Sequence, residues 1–156
     1  MSTTLMVNLS TTIPTNSGND WMKQDYSIST KEPPTAEELH PLFRQAEWAK
    51  ERTLEDTQKL LNTMDVFVTI RDEDVLIGFG RALTDGVFRA VLDDIIVEEN
   101  YRGQGVGVII VETLMDQLPE IEEILLHAEK DLEGFYNRFG FKLFHGLTMN
   151  FRADWQ

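Results

Sequence analysis

The chain contains no cysteine, so neither a disulfide framework nor a thiolate metal centre is open to it. Histidine is scarce: His40, His127 and His145 are the only three, and their spacing fits no metal-ligand pattern. No metal is expected. Basic residues are few as well, with 14 Lys and Arg against 27 Asp and Glu and a formal charge of −13. A surface of that sign does not neutralise phosphates, which argues against nucleic acid as a partner. It suits a cationic partner such as an amine, although solubility alone accounts for it equally well. No apolar run approaches the roughly 18 residues of a membrane span, so no membrane partner is expected.

Charge is missing from the start of the chain, where Asp20 is the first ionised side chain and Ser, Thr, Asn and Gly crowd the sequence. A secretory leader needs a basic start and a continuous apolar core, and a transit peptide needs arginine. Neither pattern is present. Residues 1–24 are expected to be a disordered tail, with Trp21 and Met22 its candidates for docking, and the protein is expected to be cytoplasmic. The remaining residues, 25–156, are expected to form a single domain, as 156 residues with 42% hydrophobic and 26% charged content suggest.

What the sequence does contain is a glycine-rich turn between two apolar runs. Ile95-Ile96-Val97 leads in, residues 106–118 lead out, and Gly103, Gly105 and Gly107 alternate between them. A strand that ends in such a turn and opens a helix presents free backbone N–H groups and the positive end of the helix dipole. The expected ligand is a phosphate or pyrophosphate. A P-loop is excluded because no Lys follows the last glycine, and a dinucleotide fingerprint because the glycine spacing is wrong. The candidate binding residues are Arg102, Gly103, Gln104, Gly105, Val106, Gly107 and Val108, reading Arg-Gly-x-Gly-x-Gly.

The flanking chain divides readily. Residues 25–29 alternate as a short strand. Thr35 and Glu38 form a capping box for a helix carrying Leu39, Leu42 and Phe43, which Pro41 kinks or restarts. Thr53 caps a second helix, with Leu54, Leu60, Leu61 and Met64 facing inward. Strands follow at 65–71, 75–83 and 87–97. The second carries Gly78 and Gly80, a sign of a bulge or a close backbone approach. After the helix at 106–118 come a strand at 123–127, a short helix at 132–139 and two closing strands at 141–144 and 148–152.

Arg102 to Gly107, followed about thirty residues on by Phe135-Tyr136-Asn137-Arg138-Phe139-Gly140-Phe141, resembles the GNAT family of acetyl-CoA-dependent N-acetyltransferases. The resemblance implies an α/β (α+β) fold with a central mixed, mostly antiparallel sheet, a splayed parallel strand pair and helices on both faces. It implies acetyl-CoA as cosubstrate, with the pantetheine arm entering the splay beside Ile95, Ile96 and Val97 and the pyrophosphate on the glycine turn. Tyr136 is implied as the acid that protonates the departing thiolate; an ordinary phenol titrates near ~10 and a thiol near ~8.5, close enough for the transfer. The acceptor favoured is a small-molecule primary amine: an aralkylamine, diamine or polyamine. An amino sugar or protein acceptor, or a non-catalytic acyl-CoA-binding module, stays open. Family members often pair, which suggests a homodimer.

Asp93 and Asp94 interrupt an otherwise apolar strand. Two carboxylates there are costly unless partnered or used. Strict alternation places them on opposite faces and puts Asp93 on the face of Val97. Asp93 is the candidate general base. The competing reading pairs both with arginines such as Arg81 or Arg89. His127, on the following strand, reads as a core histidine.

Overall fold

The computed structural model describes residues 25–152, and the tail expected over residues 1–24 lies outside the described residues. Five strands form one sheet in the order β1 (Ser27–Ser29), β2 (Val66–Asp72), β3 (Val75–Thr84), β4 (Arg89–Val97) and β5 (Glu123–Leu126). Neighbours from β1 to β4 are antiparallel, while β4 and β5 run parallel. Helices α1 (Ala36–Phe43) and α2 (Leu54–Leu61) connect β1 to β2. Helix α3 (Val106–Asp116) forms the crossover between β4 and β5, and α4 (Glu133–Asn137) follows β5.

The first-turn chemistry of α1 is as expected. The Glu38 amide donates to the Thr35 hydroxyl, and the Thr35 amide donates to the Glu38 carboxylate at 2.7 Å. The helix does not restart at Pro41: α1 runs unbroken through it and ends two residues later at Phe43. Its apolar side chains, Leu39, Leu42 and Phe43, are buried against Phe67, Phe79 and Ile96 on one face of the sheet. On the other face α3 buries Val106, Ile110, Val111 and Leu114 against Val68 and Ile70. Alternating strand residues thus feed two separate cores.

Gly78 and Gly80 explain how closely α3 sits. A Cβ at Gly78 would lie 2.8 Å from Val106 Cγ1, and one at Gly80 would lie 2.5 Å from Ile110 Cγ2. The helix rests on bare strand backbone, which holds its N-terminus beside the end of β4.

Three expectations need correction. Leu54 is exposed, and the fully buried residue of α2 is Thr57, whose hydroxyl donates to the Thr53 carbonyl. Val87 and Phe88 are exposed ahead of β4, which begins at Arg89. The two closing strands do not form: residues 141–152 carry no strand, and Phe144, Leu147 and Met149 point to solvent, Leu147 being 84% exposed. Apolar alternation makes a strand only where a ladder partner accepts it, and the sheet stops at the four-residue β5.

Candidate active site

The glycine turn has the shape its sequence demands. Gly103 (φ +75°) and Gly105 (φ +86°) are left-handed, a conformation that glycine adopts without steric cost. Gly105 is the N-cap of α3 and offers no side chain to its amides. The helix ladder begins with Val108 and Ile109 donating to the Gly105 carbonyl, so the Val106 and Gly107 N–H groups remain outside it. Gly107 faces the Phe135 ring, where a Cβ would sit 3.4 Å from Cζ. The Arg102 Nε donates to the Val97 carbonyl at 3.1 Å, tying the turn to the end of β4.

These groups bound a cavity of about 430 Å³. Ile95 and Val97 form one wall, Arg102, Gly103, Gly105, Gly107 and Val108 the rim, and Leu132, Phe135, Tyr136 and Arg138 the other side. Three predicted binding residues do not line it with their side chains. Ile96 packs into the α1 core, Val106 lies under α3 against β3, and the Gln104 amide donates to the Asn100 carbonyl. Leu132 and Arg138 were not among the predicted binding residues; the available signal for Arg138 was its place three residues after Phe135, at the C-cap of α4.

Tyr136 stands at this cavity with its ring edge-on to Phe135 at 4.9 Å and to Phe141 at 6.0 Å. Burial pushes its hydroxyl above the ordinary value of 10, so it holds its proton throughout the neutral range. It also lines a second cavity, of about 710 Å³, bounded by β5 and residues 141–148.

The sheet opens beside the cavity. The β4–β5 ladder pairs Arg89 with Glu123 through Leu92 with Leu126 and goes no further. Directly after Asp93 the β3–β4 register slips: Arg81 pairs with Asp93 but Phe79 pairs with Ile96, so Gly80 faces both Asp94 and Ile95. This is a β-bulge, which bends and twists its strand. Asp94 is its left-handed residue, with φ +51°. Residues 93–97 therefore leave β5 and expose backbone along one edge of a slot.

The bulge overturns the alternation argument. Asp93 pairs with Arg81 on the α1 side, whereas Val97, beyond the extra residue, lines the cavity on the α3 side. Both aspartates reach the same guanidinium: Arg81 Nη2 lies 2.7 Å from Asp93 Oδ2, and Arg81 Nε lies 2.5 Å from Asp94 Oδ2. Arg52 Nη1 takes the other Asp94 oxygen at 2.7 Å. Asp94 is buried with both oxygens partnered, while the Asp93 side chain is 42% exposed. Of the arginines considered as partners, Arg81 is correct; Arg89 pairs with Glu122 and Glu123. Arg52 left no sequence signal, because it lies 42 residues from its carboxylate. His127 is exposed rather than in the core.

The sequence profile of the acetyltransferase (GNAT) family matches residues 23–141, and the chain belongs to that family. A ycf52 protein of Pyropia yezoensis, an uncharacterised N-acetyltransferase, is 30% identical over 76% of this chain and 71% of its own length. Serotonin N-acetyltransferase 2, a chloroplastic protein of Oryza sativa subsp. japonica, is 39% identical over 43% of this chain. That match spans 34% of the rice protein. A probable acetyltransferase from meticillin-resistant Staphylococcus aureus superposes with a TM-score of 0.71 and 28% identity, covering 81% of this chain and 99% of that one. The protein is accordingly an acyltransferase of the N-acetyltransferase type.

Proposed function

We propose that the protein transfers acetyl from acetyl-CoA to the primary amine of a small cationic acceptor. The observation that carries this reading is the slot. The β4–β5 ladder stops at Leu92 and Leu126, directly beside a cavity that runs from the Arg102–Gly107 turn to Tyr136. The donor groups fit the cosubstrate. The Val106 and Gly107 amides, the α3 dipole, Arg102 and Arg138 suit a pyrophosphate, and the open β4 edge suits an amide-bearing arm. Acetyl-CoA supplies the activated acyl group.

The division of labour follows from the two faces of the sheet. Tyr136 meets the slot from the α3 side as the proton donor, and Asp93 stands on the α1 side, where the amine enters. Asp93 is proposed to take the ammonium proton through water. The amine nitrogen then bonds the acetyl carbon, the carbon–sulfur bond breaks, and the Tyr136 proton goes to the thiolate. The nitrogen's remaining extra proton passes through water to restore the phenol, while Asp93 returns its proton to solvent. Backbone N–H groups of the bulged strand are suited to meet the carbonyl oxygen as its charge grows.

An aralkylamine, diamine or polyamine is the favoured acceptor. The net charge of −13 attracts cations. The exposed indole of Trp48 lies on the α1 side beside Arg52, and the rice relative is named for an aromatic amine. The test is CoA release with acetyl-CoA against a panel of amines, beside calorimetric titration of acetyl-CoA alone. Turnover on one amine class is the expected result. Binding with no turnover on any amine, protein or amino-sugar acceptor favours a non-catalytic module; absence of binding overturns the proposal.

A further inference from the structure

The bulge on β4 is held from outside the sheet. Arg81, one of the two guanidiniums on Asp94, belongs to β3 and moves with it. The other, Arg52, comes from the loop of residues 44–53 that joins α1 to α2. Its guanidinium carbon lies 4.6 Å from the centre of the Phe43 ring and 5.2 Å from that of Trp48. Two aromatic faces thus order the side chain before it meets the carboxylate.

Asp94 needs such a hold. A left-handed conformation is unfavourable for a residue with a side chain and persists only where its surroundings fix it. What fixes it here is a fully buried carboxylate with each oxygen on a different guanidinium. The ladder to β5 ends at Leu92, two residues before this point.

We infer that Arg52 is a positioning residue for the transfer reaction: by clamping Asp94 it holds the bend that keeps the slot open. Acetyl-CoA binding then depends on a side chain that lines no part of the cofactor cavity. The inference rests on reading the slot as the acetyl-CoA site. It also makes one unit of the loop carrying Trp48 and the strand beside the slot.

The experiment titrates acetyl-CoA calorimetrically into wild type, Arg52→Ala, Arg52→Lys, Asp94→Asn and the Arg52→Ala/Asp94→Asn double variant. Hydrogen exchange of residues 93–97 is measured on each protein without ligand. Arg52→Ala is expected to bind acetyl-CoA about tenfold more weakly and to exchange faster at 93–97. Arg52→Lys should fall between it and wild type. Once Asp94 is Asn, removing Arg52 should have little further effect. Affinity within twofold of wild type, with faster exchange confined to residues 44–53, overturns the inference. Should Arg52→Ala fail to fold, Arg52→Lys and Asp94→Asn read the same clamp, and wild-type behaviour in both overturns it. If wild type itself binds no acetyl-CoA, the active-site reading fails, and the exchange at 93–97 alone decides whether the clamp exists.

Discussion

Tyr136 is the side chain whose removal reads the chemistry most directly. Its hydroxyl is needed as a proton donor only when sulfur departs, so Tyr136→Phe should lower kcat by roughly 10²- to 10⁴-fold. The affinity for acetyl-CoA should change little, because the ring and its contacts with Phe135 and Phe141 remain. Single-turnover kinetics beside calorimetry separate the two. Burial raises the Tyr136 pKa, so any alkaline loss of kcat through this group should set in at higher pH than an ordinary phenol would impose. The same shift carries a stability term of definite sign. It is present below the unfolded value near ~10 and lost as pH rises through the higher folded value. Asp93→Asn tests the other side of the slot. An acceptor-side base lost should depress kcat/KM for the amine while leaving acetyl-CoA affinity near wild type; an unchanged kcat/KM would reduce Asp93 to a partner of Arg81.

Helix α1 shows what a few polar contacts do for a short element. Thr35→Ala removes one half of the capping box and should cost about 0.5–2 kcal/mol in chemical denaturation. Glu38 serves both the cap and Arg71 on β2, and the Arg71 hydrogen bond leads the effects that hold its carboxyl below the usual range. Its contribution is present above the unfolded value of ~4.3 and lost as pH falls through the lower folded one. Glu38→Gln should therefore lower stability at pH 7 and weaken its fall in acid. Under α3, Gly80→Ala would drive a methyl against Ile110 and should destabilise by about 1–3 kcal/mol. Most of this architecture was legible in the sequence, because caps, glycines and apolar periods are local signals. The order of elements from β1 to α4 follows from them, and so do the turn at Gly103–Gly107 and the close approach at Gly78 and Gly80. The bulge was legible on one strand only. Gly80 marks it on β3, but Asp93 and Asp94 look like any alternating pair, and only the slipped pairing of Arg81 with Asp93 and Phe79 with Ile96 puts the extra residue on β4. For the same reason Arg52 was invisible, and two apolar strands were expected where no partner strand receives them.

The charge of the whole chain and the charge of its cavity have opposite signs. The formal total is −13, whereas the cavity carries Arg102 and Arg138 and no acidic side chain among its lining residues. A cationic amine and an anionic cosubstrate therefore meet different fields as they approach. At 0.01 M salt the Debye length is about 30 Å and the acidic surface acts over much of the molecule; at 0.15 M it is about 8 Å. For a diamine or polyamine, kcat/KM should fall severalfold across that range while kcat stays nearly constant, since screening acts on encounter and not on the bound complex. For acetyl-CoA the long-range term is repulsive and only the local arginines attract, so its kcat/KM should rise or hold steady over the same salt series. Initial rates with each substrate varied in turn give both dependences in one experiment. Opposed slopes would mean that the acidic surface gathers the acceptor; parallel slopes would leave the net charge to solubility alone.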